Sequence, residues 1–137
     1  MKDKKNRIKI CVQAYLENIS IIRSMIRIYL KAHKVDETDE VQLLSIVDEL
    51  ATNAIEHGYS YDEKGEIKIV LNIFKRTIFL SVEDSGKGYD ADIVNLDRKE
   101  DGGFGLFIVK KLVDVFKVEK KTKGTIFKIE KRLREAV

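Results

Sequence analysis

The chain has 137 residues and carries 26 lysines and arginines against 23 acidic residues, a net charge of +3. Apolar residues make up 44% and charged residues 36%, which excludes a disordered chain and predicts one folded domain over residues 1–137. No apolar run approaches the roughly 18 residues of a membrane span, and the basic N-terminus lacks the apolar segment of a secretory signal. We therefore expect a cytoplasmic protein without membrane contact.

The first predicted element is a half-buried strand of alternating apolar residues: Ile8, Ile10, Val12, Ala14 and Leu16. Cys11, the only cysteine, excludes an internal disulfide, and we predict it to be a small core residue. Asn18 or Ser20 can cap a first helix that runs to about His33. Its apolar stripe is Ile22, Met25, Ile26, Tyr29 and Leu30. The acidic run at 36–39 predicts the start of a second helix, which ends at Gly58.

The second half of the chain predicts two hairpins and a helix. The first hairpin carries apolar residues at 67–73 and 78–82 and turns at Lys75-Arg76. Residues 84–103 show no periodicity, and a third helix is predicted from Phe104 to Phe116. Two strands, about 116–121 and 125–133, close the chain with a turn at Lys123-Gly124. This order predicts an α+β fold: a two-layer sandwich whose mainly antiparallel, mixed sheet is covered on one face by three helices.

The second helix carries an unusual polar row beside its apolar face. Glu49 and Asn53 lie four residues apart and should project together, with His57 one turn further along. The apolar face is Val41, Leu44, Val47, Leu50, Ala51, Ala54 and Ile55. A carboxylate at the edge of a buried face is costly without a partner, which favours a metal or a ligand. The alternative is an exposed helix edge with ordinary polar residues.

Two groups of glycines lie on either side of the long loop. The first is Asp84, Gly86 and Gly88 directly after a strand; the second is Gly102, Gly103 and Gly105 at the start of a helix. Glycines at a helix N-terminus let backbone N–H groups approach an anion such as phosphate. Neither group fits the Walker pattern. Each alone is compatible with a simple turn, whereas both together with the polar row favour a nucleotide site.

Basic residues are crowded late in the chain, which raises the alternative of a nucleic-acid surface. Acidic residues interrupt the run at Asp114, Glu119, Glu130 and Glu135, and no aromatic residues are placed for base stacking. We therefore interpret these residues as a solvated face and expect no direct nucleic-acid partner.

These motifs together resemble the N, G1 and G2 boxes of the GHKL ATPases, the superfamily of gyrase, Hsp90, histidine kinases and MutL. The matching stretches are 49–57, 84–88 and 102–105, and Gly124-Thr125 is similar to the superfamily's final box. The resemblance spans about residues 8–133. Within the superfamily the chain most resembles the small bacterial anti-sigma factor serine-protein kinases of the RsbW and SpoIIAB type.

The resemblance implies ATP and Mg²⁺ as cofactors and a role for each matched position. Asn53 would ligate Mg²⁺ through its amide oxygen, and Asp84 would accept a hydrogen bond from the adenine amino group. Thr125 would reach the adenine directly or through water. The glycines would let backbone approach the base, at Gly86 and Gly88, or the phosphates, at Gly102, Gly103 and Gly105. His57 is more simply explained as a residue that packs the helix end.

Glu49 discriminates among the members of the superfamily. A carboxylate there is suited to accept a proton from an attacking water or serine hydroxyl, whereas sensor histidine kinases usually carry asparagine at this point. The resemblance therefore implies a protein serine kinase that sequesters a sigma factor and phosphorylates a serine on an anti-sigma factor antagonist. It also implies a homodimer formed through the N-terminal region. The alternative function is a non-catalytic, ATP-binding switch module that binds a protein partner.

Overall fold

A computed structural model describes residues 4–58, 65–86 and 104–135. Its elements are β1 (Ile8–Gln13), α1 (Asn18–Ala32), α2 (Glu37–Asn53) with a π-helical turn (Ala54–Gly58), β2 (Glu66–Phe74), β3 (Thr77–Asp84), α3 (Phe104–Leu112), β4 (Val115–Lys120) and β5 (Thr125–Arg132). The predicted positions Gly88, Gly102 and Gly103 lie outside the described residues. No helix among the described residues is long and apolar enough to cross a membrane.

The five strands form one sheet in the order β1-β2-β3-β5-β4, and each neighbouring pair is antiparallel. Alternate strand residues, such as Ile69, Leu80 and Phe127, are almost fully buried in the core shared with the helices. The helices lie side by side, with α2 packed between α1 and α3. The predicted two-layer α+β sandwich is confirmed, and the sheet, which was expected to be mixed, is antiparallel throughout its described pairs.

The turn between β2 and β3 confirms the predicted hairpin. Lys75 and Arg76 have φ angles of +49° and +62°, and Phe74 pairs with Thr77 across the turn. Two consecutive residues with positive φ match the right-handed twist of the flanking strands. This turn fixes the register that brings Asp84 to the end of β3.

Several residues predicted to be buried are exposed. Leu16 lies beyond the end of β1, and Met25 and Val41 lie on the outer faces of α1 and α2. Cys11 is also exposed, because successive strand residues point to opposite faces and its neighbour Ile10 takes the core side. The prediction that Cys11 is a core residue was therefore wrong.

Two predicted helix ends also differ from the structure. Glu17 is the N-cap of α1 and makes no capping hydrogen bond with its side chain. Asn18 instead donates to the carbonyl oxygen of Gln13, at 2.9 Å, and so ties the helix to β1. The third helix ends at Leu112 and not at Phe116, since Phe116 pairs with Ile129 of β5 in the sheet.

A buried charge cluster fixes α2 and α3 to the end of β5. The Asp39 carboxylate is fully buried, accepts the backbone N–H of Arg134 at 2.7 Å and pairs with the Arg134 guanidinium. Lys131 lies 3.8 Å from the same carboxylate and donates to the carbonyl oxygen of Leu112, the last residue of α3, at 2.8 Å. Lys131 is buried, so the interpretation of all late basic residues as a solvated face was wrong for this one.

Candidate active site

The last turn of α2 brings Glu49 and Asn53 together, as their spacing predicts. The Asn53 side-chain amide donates to the main-chain oxygen of Glu49 at 2.7 Å and to its carboxylate oxygen Oε1 at 2.8 Å. Asn53 is buried and Glu49 is half-buried. Because the amide nitrogen is engaged with Glu49, the amide oxygen is the atom of Asn53 with the chemistry to ligate a hard cation.

Gly105, the second residue of α3, makes room for the Glu49 carboxylate. A Cβ atom at Gly105 would overlap both carboxylate oxygens of Glu49, so any larger residue would force this carboxylate to move from its position beside α3. The carboxylate therefore lies against the first turn of α3, where the helix dipole favours negative charge. The structure thus brings three of the predicted site residues into one cluster.

The polar row does not continue to His57 in α-helical spacing. The helix changes to π geometry at Ala54 and keeps it to Gly58. The π-helical pattern of hydrogen bonds displaces the residues that follow relative to an ideal α-helix. The expected alignment of His57 with Glu49 and Asn53 is therefore wrong for the backbone, and its side chain lies outside the described residues.

A second cluster forms where β3 ends and β5 begins. Asp84 is buried, pairs in register with Thr125 and accepts the backbone N–H of Gly86 at 2.9 Å. Gly124 has a φ of +103°, and a Cβ atom there would overlap the carbonyl oxygen of Asp84. Glycine is thus required at this turn both by its backbone conformation and by the close contact.

The polar groups of this second cluster are suited to a ligand. Thr125 is fully buried, and its hydroxyl has no hydrogen-bond partner among the described residues. Such a group costs free energy unless something binds it. Burial raises the pKa of the Asp84 carboxyl above its usual 3.8, while the Gly86 N–H, the Lys121 ammonium and the Thr125 backbone oppose this rise. A carboxylate and a hydroxyl therefore lie together in a place that excludes most water.

β3, which ends at Asp84, packs against α2, which carries Glu49 and Asn53, and against the π-helical turn that follows it. Among the described residues, no three histidine, cysteine or acidic side chains are grouped so that they could hold a metal ion.

Sequence reasoning did not identify one ion pair beside the second cluster. Lys121 pairs with Glu83, the residue before Asp84, and its charge lowers the pKa of the Asp84 carboxyl against the effect of burial. In the sequence Lys121 is one of many late basic residues. Lys121 lies in the turn between β4 and β5, and only the pairing of β5 with β3 reveals that this turn lies near the site.

The fold is that of the GHKL-type ATPase domains. Residues 12–131 match the family model described as the histidine kinase-like ATPase domain. That match covers most of the chain, and the chain belongs to this family.

Curated relatives indicate a branch of the family. The chain is 30% identical over 139 residues to the serine-protein kinase RsbW of Bacillus subtilis (strain 168), covering 92% of this chain and 86% of that protein. It is 28% identical over 140 residues to the serine-protein kinase RsbW of Staphylococcus aureus (strain JH9), covering 92% and 87%. The similarity therefore extends along nearly the whole of each chain.

Solved structures show the same fold. The RsbU and RsbW domains of a Mycobacterium tuberculosis protein match with a TM-score of 0.73 and 23% identity, covering 95% of this chain and 33% of that chain. The catalytic domain of the histidine kinase ThkA matches with a TM-score of 0.58 and 18% identity, covering 91% and 97%. At these identities the structures support the architecture alone.

Proposed function

We propose that the protein is an ATP-dependent serine kinase and anti-sigma factor, which sequesters a sigma factor and phosphorylates a serine on an anti-sigma factor antagonist. The observation that supports this most is the cluster of Glu49, Asn53 and Gly105, in which a carboxylate lies beside an amide suited to a cation. The relatives in Bacillus subtilis and Staphylococcus aureus are serine-protein kinases, which agrees with such chemistry.

The described residues fit Mg·ATP in three respects. The unpartnered hydroxyl of Thr125 and the buried carboxylate of Asp84 are suited to the adenine ring, whose amino group would donate to Asp84. The amide oxygen of Asn53 is suited to Mg²⁺, which often takes only one or two protein ligands and binds phosphate oxygens as well. Gly86 supplies a turn beside the base, and Gly105 opens a helix that points its N-terminus toward the site.

Glu49 is proposed as the general base. When bound, Mg·ATP would supply the γ-phosphoryl group, with ADP as the leaving group, and Mg²⁺ would supply the charge that neutralises it. Glu49 would orient the serine hydroxyl and accept its proton during the attack. The space left by Gly105 lets the carboxylate lie against the first turn of α3, beside the proposed phosphate site. Asn53 contributes by donating to Oε1 and leaving the second carboxylate oxygen available.

The glycines at 88, 102 and 103 keep their predicted roles in this proposal. They would place backbone N–H groups near the base and the phosphates, as the resemblance implies. The proposal also includes one domain over residues 1–137, a cytoplasmic location and no direct contact with nucleic acid.

The second candidate function is a nucleotide-binding switch without phosphoryl transfer. The observation in its favour is the hydrogen bond from Asn53 to Glu49 Oε1, which engages the carboxylate proposed as the base. Incubating the protein with Mg·ATP and its purified antagonist, followed by intact mass measurement, distinguishes the two. Gain of one phosphoryl group by the antagonist, abolished when its acceptor serine is replaced by alanine, supports the kinase. Stable binding without any mass change supports the switch.

We also propose a homodimer formed through the N-terminal strand. β1 lies at one edge of the sheet and pairs only with β2 among the described strands. An unpaired strand edge is available to a second copy of the chain. Light scattering at roughly micromolar concentration should give the mass of a dimer. A dimer with a Kd of about 1 μM has a free energy of association of about −8.2 kcal/mol. A purely monomeric protein at tenfold higher concentration would contradict this.

A further inference from the structure

A narrow groove runs between α2 and α3 and ends at the proposed general base. It has a volume of about 160 Å³ and is lined by residues that include Ser45 and Glu49 from α2 and Gly105, Ile108 and Leu112 from α3. These positions are spaced by three or four residues on each helix, so each helix presents one continuous row to the groove. The groove is separate from the cluster of Asp84 and Thr125.

The size of the groove restricts what it can hold. Pockets for nucleotides and other small molecules measure about 300–1,000 Å³, so this groove is too small for a second nucleotide. An engineered protein cavity of about 150 Å³ holds a molecule of benzene. The groove therefore matches one aliphatic or aromatic side chain.

The lining also restricts the chemistry of the occupant. Ile108 is 54% exposed at the rim, and Val41, one turn before Ser45 on α2, is 59% exposed. Exposed aliphatic residues beside a groove favour an apolar partner. The Glu49 carboxylate at one end disfavours an acidic side chain, because two like charges there would repel each other.

We propose that this groove receives an apolar side chain of the protein substrate, one or two residues from the serine that is phosphorylated. The proposal rests on the proposed kinase function, because the hydroxyl must come within hydrogen-bond reach of Glu49, which itself lines the groove. Consecutive Cα atoms are about 3.8 Å apart, so a side chain seated against Ile108 belongs to a close neighbour of the serine in the peptide. The groove thus selects which serine is phosphorylated.

A specificity exchange tests this inference. A library of peptides with one central serine and varied flanking residues is phosphorylated with Mg·ATP by the wild-type chain and by Ile108→Glu. The wild type should prefer an apolar residue at one flanking position by roughly ten- to a hundredfold, the effect of burying one apolar side chain. Ile108→Glu should lose this preference and favour lysine or arginine there. Ile28→Glu, a change at a 70% exposed residue of α1, is the matched control and should keep the wild-type preference.

A second measurement does not depend on phosphoryl transfer. Methyl NMR of the isoleucine-labelled chain follows Ile108 and Ile28 during titration with N-acetyl-seryl-leucinamide, and with the asparaginamide analogue as a control. A saturable shift of the Ile108 methyl with the leucine compound alone supports the groove even if no peptide is phosphorylated, in which case only the kinase proposal fails. Three results would overturn the inference. The first two are phosphorylation without any flanking preference and a preference that survives Ile108→Glu. The third is an Ile108 methyl signal that does not shift when phosphorylation is also absent.

Discussion

Replacing Asp84 by asparagine separates the binding role of this residue from its effect on stability. The carboxylate lies at the end of β3, is only 2% exposed and accepts the Gly86 N–H at 2.9 Å. Asparagine has nearly the same shape and can accept that N–H through its own oxygen. The substitution therefore removes the charge and leaves the local backbone contact in place.

The expected loss of ATP affinity follows from one charge-assisted hydrogen bond. Such a bond contributes about 1.5–3 kcal/mol, and the asparagine amide can present a donor to the adenine amino group where the carboxylate presents only acceptors. We expect the Kd for Mg·ATP to rise roughly ten- to 150-fold. In the nucleotide-free protein, by contrast, the same substitution should be favourable, because it should raise the free energy of unfolding.

Burial raises the pKa of Asp84, so the folded protein binds this proton more tightly than the unfolded chain does. Its stabilising contribution is complete below the unfolded value, near 3.8, and is lost as the pH rises through the higher pKa of the folded state. At neutral pH the wild type therefore carries an unfavourable buried charge that Asp84→Asn removes. The variant should be more stable than the wild type without nucleotide, and this difference should shrink as the pH falls toward about 4.

Calorimetric titration with Mg·ATP and urea unfolding between pH 4 and 8 measure both effects. Asp114→Asn is the control, because Asp114 is exposed and accepts the backbone N–H of Arg132 away from the proposed base pocket. An Asp84→Asn variant with wild-type affinity for ATP would remove this residue from the site. The argument from burial predicts that the stability of the variant minus that of the wild type is larger at pH 8 than at pH 4. A smaller difference at pH 8 than at pH 4 would refute it.

Three further predictions concern the packing of the site, its support and its assembly. Gly105→Ala should be less favourable in the wild type than in a Glu49→Ala background by about 0.5 kcal/mol or more in thermal unfolding, because only in the wild type must a carboxylate move; equal effects in both backgrounds would contradict the contact. Asp39→Ala should lower the free energy of unfolding in urea by about 3 kcal/mol, because it leaves Lys131 buried without its partner. Glu119→Ala, which breaks an exposed pair, should cost less than about 1 kcal/mol in the same assay, and similar losses would argue against the buried cluster. The substitution Lys9→Pro, at an exposed residue of β1, should disrupt this strand and convert the proposed dimer to a monomer in light scattering without changing the affinity for ATP. A dimer that persists in this variant would place the interface elsewhere.

The fold was largely predictable from the sequence because its elements carry strong periodic signals. The alternation in β2 and β3 and the residues Lys75-Arg76 correctly predicted a hairpin and its turn. The errors concern residues such as Met25 and Val41, which share apolar character with the core but lie on the outer faces of their helices. Helical spacing alone does not show whether an apolar residue at the edge of the buried face lies in the core or is exposed to solvent.

The site was predictable only as a set of residues, not as an arrangement. The four-residue spacing correctly predicted that Glu49 and Asn53 are neighbours, and their hydrogen bond confirms this. No sequence pattern indicates that Gly105 faces Glu49, since the contact depends on how α3 packs against α2. The change to π geometry after Asn53 was also missed, because it has no distinctive pattern of residues.

The central claim is that Glu49 accepts the proton of the serine hydroxyl, and Glu49→Gln tests it most directly. Glutamine keeps the size of the side chain and an oxygen that can accept the Asn53 amide, so only the basic carboxylate is lost. Single-turnover phosphorylation of the antagonist at saturating Mg·ATP should slow by about 10²–10⁴-fold, with nearly normal nucleotide binding. Asn53→Ala, measured alongside, should instead lose Mg²⁺-dependent nucleotide binding. A Glu49→Gln protein that transfers phosphate at the wild-type rate would contradict the account.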